Sequence, residues 1–89
     1  MHAVVVRVNI ADFEASRKDL REKVVPRVSQ APGFVAGYWT RSDDGRGGLS
    51  MIIFESEEAA RAGAEQIRSN IPDTVTLENV EVREVVEHA

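Results

Sequence analysis

The sequence predicts an α+β domain whose elements run strand, helix, strand, strand, helix, strand. Three observations carry this. Ala31-Pro32-Gly33 divides a helical pattern over about 12–30 from a strand-like run, Phe34 to Arg41. A loop with three glycines and two aspartates, 42–48, joins that run to a second alternating run, Leu49 to Glu55. Val-rich segments at 3–10 and 75–86 bracket the whole, with a second helical pattern over about 57–70.

Taken in order, Val4, Val6, Val8 and Ile10 alternate with Val5, Arg7 and Asn9, a first strand with apolar residues on both faces near its start. Asp12 suits a helix N-cap and Glu14 the positive first turn. Phe13, Leu20, Val24 and Val28 form one helical stripe. Pro26 lacks an N–H and is expected to kink or end the helix near Val25, with a last turn reaching about Gln30.

In strand two, Phe34, Ala36, Tyr38 and Thr40 are expected on one face and Val35, Gly37, Trp39 and Arg41 on the other. In strand three, Leu49, Met51 and Ile53 oppose Ser50, Ile52 and Phe54, and the short loop makes the two strands antiparallel. Ser56 caps the second helix, whose inner stripe is small: Ala60, Gly63, Ala64, Ile67. The last strand, 75–86, should place Val80, Val82 and Val86 on one face. It is long for this domain, and its end is free to pair with a second subunit.

This is the split βαβ, or ferredoxin-like, order: a four-stranded antiparallel sheet with both helices on one face. The other face is left bare, with Val residues and one of Tyr38 and Trp39 on it. A second copy packed face to face, giving a homodimer, is the expected remedy.

Eighty-nine residues make one domain, 1–89, small enough for help from a partner chain to matter. A net charge of −4 argues against nucleic acid and against an anionic membrane surface. The absence of cysteine excludes disulfides, thiolate catalysis and zinc–thiolate sites. No apolar run approaches the ~20 residues that span a bilayer, and no secretory signal is visible, so a cytoplasmic location is expected. No metal-ligand spacing occurs, and His2 and His88 stand at the two ends, where no Ser-His-Asp set forms.

The chain resembles the dimeric α+β barrel superfamily, and within it the antibiotic-biosynthesis-monooxygenase-like domains. The resemblance lies in Val4-Val5-Val6-Arg7-Val8-Asn9, Pro26, Pro32-Gly33-Phe34-Val35-Ala36-Gly37-Tyr38-Trp39 and Phe54-Glu55-Ser56-Glu57-Glu58-Ala59. It implies a small-molecule enzyme or binder, with a hydrophobic or aromatic ligand between sheet and helices and no cofactor. Haem-degrading members place an Asn near the end of strand one in their pocket, as at Asn9. Their axial His and helical Trp have no counterpart between Glu57 and Asn70.

Asn9, Tyr38 and Trp39 are therefore the candidate catalytic residues, and Arg7, Arg41, Met51 and Phe54 the candidate ligand contacts. Each has a plainer reading. Asn9 suits the turn into helix one. Tyr38 and Trp39 are bulky core residues pointing to opposite faces. Arg41 ends a strand in solvent or in an ion pair, and Arg7 pairs with Glu81 or Glu84. Glu57-Glu58 suits a helix N-terminus, and Gly45-Arg46-Gly47-Gly48 leads into a strand rather than a phosphate-binding helix. The competing function is a non-catalytic dimeric module for assembly or regulation. The discriminating feature is whether Ala60, Gly63 and Ala64 close onto the sheet or leave a void.

Overall fold

The computed structural model describes residues 1–89. Strands β1 (His2–Ile10), β2 (Phe34–Arg41), β3 (Gly47–Phe54) and β4 (Val75–Glu84) form one antiparallel sheet in the order β2-β3-β1-β4. Helix α1 spans 13–29 and helix α2 spans Glu57–Ser69. The ferredoxin-like topology holds as expected, with both helices covering one sheet face. No helix is long and apolar enough to cross a membrane.

Both helices start where their caps dictate. Asp12 Oδ1 accepts from the Ala15 N–H at 3.1 Å, and Ser56 Oγ accepts from the Ala59 N–H at 3.1 Å. Helix α1 is less regular than its stripe predicts. Its first segment, Phe13–Asp19, passes into a π-helical turn, Leu20–Val24, and then a second α-helical segment, Val25–Ser29. The Val25 N–H bonds to Leu20 O, five residues back. Pro26 accounts for this: it has no N–H, and its ring crowds the carbonyl four residues before it, so the wider turn relieves the clash and the helix continues.

The core is small, with 12 of 89 residues buried. Val4, Val6, Ile52, Phe54, Ala60 and Ala64 form its centre, between the sheet and α2. The small stripe of α2 is what permits this approach. A Cβ at Gly63 would lie 2.5 Å from Phe54 Cζ, so only glycine fits there.

Two bulges change the expected faces. In β2, Phe34 and Ala36 pair with Phe54 and Ile53, leaving Val35 extra. Phe34 therefore lies on the helix side, where its ring meets Phe54 edge-on at 6.3 Å, and Val35 is exposed. Burying the aromatic ring outweighs keeping a regular ladder. In β4, the register shifts opposite Arg7 and Val8, so Leu77 joins Val80 and Val82 against the core. Val86 lies beyond the strand and is exposed rather than continuing that face.

The uncovered face carries Val5, Arg7 and Asn9 of β1, Leu49, Met51 and Ile53 of β3 and Ala36, Tyr38 and Thr40 of β2. Val5 stands beside Met51, which stands beside Tyr38. Leu49, Met51 and Tyr38 are 43%, 46% and 66% exposed, which makes this face an apolar surface.

Candidate functional site: an apolar passage between helices and sheet

Gly63 of α2 touches the Phe54 ring, and open space lies beside that contact and farther along the sheet. Gly48 lacks the side chain that would press on Val8, since a Cβ there would lie 2.7 Å from Val8 Cγ2. Beside this close contact lies a cavity of about 80 Å³, walled by Val6, Val8 and Ile10 of β1, Ser50 and Ile52 of β3, Trp39 of β2 and Leu20, Val24 and Val28 of α1. Ile67, Ile71, Pro72 and Val75 close its far side.

Val24, Val28, Ile67, Ile71 and Pro72 also line a second cavity of about 250 Å³ between the two helices, rimmed by Arg27, Gln30, Gln66 and Asn70. The two spaces are adjacent, with these five residues common to both. On the opposite side, Ile10, Ser16, Leu20, Trp39 and Thr40 are shared with an open depression that adds Phe13, Arg17 and Arg41. Together they form an apolar passage with a polar mouth at each end. The π-helical turn supplies Leu20 and Val24 to its wall, so the irregularity of α1 shapes the passage directly.

Trp39 is the large aromatic group of the inner wall. Its ring folds back over Gly37, where a Cβ would lie 2.7 Å from Trp39 Cζ3. Ser16 and Ser50 are buried wall residues with hydroxyls. Thr40 donates its hydroxyl to Leu49 O at 2.6 Å. No carboxylate, imidazole or phenol lines the inner cavity. No group of three or more His, Asp or Glu side chains is placed to hold a metal ion.

The structure separates the candidate residues. Trp39 and Phe54 lie on the helix side, Trp39 in the inner cavity and Phe54 in the space between the helices. Arg41 stands at the mouth, its guanidinium 3.8 Å above the Phe13 ring. Asn9, Tyr38, Met51 and Arg7 are exposed on the uncovered face and do not line the passage. Asn9 does not cap α1 either, because Asp12 does. It borders a surface depression with Arg41 and the β2–β3 loop. Arg7 has no acidic partner: it stands opposite Asn79, while Glu81 is taken by Arg83 at 2.8 Å.

Sequence reasoning missed Ser16, Ser50, Leu20 and Arg17 as site residues. The signal for the serines was present. Ser50 interrupts an apolar face with Ile52 and Phe54, and Ser16 falls between Phe13 and Leu20 on the helix.

No family model and no curated protein matches the sequence. Solved structures do match in shape. The cofactor-independent oxygenase SnoaB from Streptomyces nogalater superposes with a TM-score of 0.69 at 14% identity, over 98% of this chain and 94% of that one. A dimeric ferredoxin-like protein from an uncultured marine organism gives 0.67 at 14% identity, over 100% and 98%. The monooxygenase ActVA-Orf6 of Streptomyces coelicolor, in complex with Nanaomycin D, gives 0.57 at 18% identity, over 98% and 92%. At these identities the likeness is one of fold: this chain has the ferredoxin-like α+β architecture that the two oxygenases also have.

Proposed function

We propose that this protein binds a flat, apolar aromatic molecule in the passage and acts as a cofactor-independent monooxygenase of phenols. The observation that carries the reading is the passage itself, apolar along its length and walled by Trp39, in the fold of two oxygenases, one of them cofactor-independent. A pocket of this kind holds an aromatic ring by burial and stacking, and a few hydroxyls fix its orientation.

The reaction balances without a protein-borne oxidant. A phenol plus dioxygen gives a quinone plus water. A ring C–H bond breaks and a C–O bond forms, one oxygen atom enters the quinone, the other leaves as water, and the phenol supplies all four electrons. The side chains contribute position: Trp39 stacks on the ring, Ser16 and Ser50 offer hydrogen bonds, and the apolar walls exclude water.

The test is oxygen uptake with naphthols and anthrones under air, with labelled dioxygen as tracer. The expected result is one dioxygen consumed per quinone, one labelled atom in the product, and loss of both signals when Ser50→Phe fills the cavity. Uptake that Ser50→Phe leaves intact, in a variant that still melts cooperatively, overturns the reading.

The lack of a titratable group on the inner walls favours a second reading, a non-catalytic binder of the same ligand class. Binding without oxygen uptake selects it.

The uncovered face supports a homodimer. Leu49, Met51 and Tyr38 stand exposed on it, an apolar surface of the kind that a two-fold partner covers.

A further inference from the structure

We infer that the mouth formed by Arg17 and Arg41 is a carboxylate subsite, so that the ligand is an aromatic acid with its ring in the passage and its carboxylate at this end. This rests on the passage being a binding site, and it adds the chemical class of the ligand and its direction of entry.

Three observations carry it. First, both arginines border one depression, and that depression adjoins the inner cavity, sharing Ile10, Ser16, Leu20, Trp39 and Thr40 with it. Second, neither arginine has an acidic partner. The ion pairs of the chain are Lys23–Asp19, Arg61–Glu57, Arg68–Glu65 and Arg83–Glu81. Glu14, one turn before Arg17, is in none of them. Nor are Asp43 and Asp44, which border a neighbouring depression with Arg41; Asp44 is held instead by Ser42 and the Arg46 N–H. In a chain of net charge −4, two unpaired cations on one concave surface are a local reversal of sign.

Third, Arg41 is held over an aromatic ring. Its guanidinium lies 3.8 Å from the Phe13 ring centroid, which restrains the long side chain and leaves its N–H edge free. A planar guanidinium edge fits a carboxylate with two parallel hydrogen bonds. The opposite mouth, rimmed by Gln30, Gln66, Asn70 and a single arginine, Arg27, offers amides rather than paired cations.

The experiment compares 2-naphthoate with its uncharged isostere 2-naphthamide, titrated against the intact protein by calorimetry. The acid is expected to bind about tenfold more tightly than the amide at low salt, the difference shrinking as salt is added. In Arg41→Gln and in Arg17→Gln the acid should weaken toward the amide, while the amide, which loses at most a neutral hydrogen bond, weakens far less. Retained amide binding also shows that both variants keep the folded passage. If acid and amide bind the wild-type protein equally, or if the preference survives both substitutions, the carboxylate subsite is overturned and the passage reading stands. If neither molecule binds, both are overturned.

Discussion

Gly63 shows how one residue sets the distance between two layers. Alanine favours a helix over glycine by about 1 kcal/mol. Here its methyl group would enter the Phe54 ring, which is fully buried. Overpacking of this kind costs roughly 1–3 kcal/mol. Gly63→Ala should therefore lower the urea midpoint despite its better helix propensity; a raised midpoint would show that α2 can lift from the sheet. Asp44 is a second case, in the β2–β3 loop. Its carboxylate accepts from Ser42 Oγ at 2.6 Å and from the Arg46 N–H at 3.0 Å, and these bonds hold its pKa below the usual aspartate value. A folded pKa below the unfolded one means the stabilisation is complete above about pH 4 and is lost as pH falls through the folded value. Carbon-detected titration should place the Asp44 midpoint below that of a model aspartate, and an unshifted midpoint would contradict the loop geometry.

At the scale of elements, the irregularities matter more than the regular ladders. A straight β2 would turn Val35 inward with Trp39, and the bulge instead turns Phe34 inward. The two arrangements differ in mutational cost. Phe34→Ala should cost about 2–3 kcal/mol, because it removes a half-buried ring packed on Phe54. Val35→Ala should cost less than about 0.5 kcal/mol at an exposed position. Equal costs would mean that the bulge is absent. The π-helical turn of α1 works in the same way. Pro26 forbids one hydrogen bond, the turn widens, and the widening presents Leu20 and Val24 to the passage. Proline, glycine and N-cap positions were all readable as letters; the two bulges were not. They arise from competition between strands for buried area, and no local pattern records that competition.

At the scale of the molecule, the homodimer proposed from the uncovered sheet face has a direct test. Light scattering behind a sizing column should return about two chain masses at micromolar concentration. Met51→Glu, on a residue 46% exposed at the middle of that face, should return one chain mass while the melting transition stays cooperative. A wild-type protein that elutes at one chain mass would rule out the homodimer. Arg7 and Asn9 then acquire a different meaning. On the uncovered face and outside the passage lining, they would meet the partner rather than a ligand.

The sequence by itself determined the element order, the antiparallel hairpin, both helix caps and the small-residue face of α2. Each is a local property, fixed by side-chain period, cap chemistry or backbone freedom within a few residues. It also placed Tyr38 and Trp39 on opposite faces, since neighbours on a strand must diverge. Tertiary structure alone decided which of the two faces the helices, and it turned Asn9, Arg7 and Met51 to the uncovered side. It alone set Arg17 and Arg41 on one depression, and Ser16 and Ser50 into one cavity wall. These pairings join residues more than twenty positions apart, and they depend on which face of the sheet the two crossovers cover, a choice made by packing the whole chain at once.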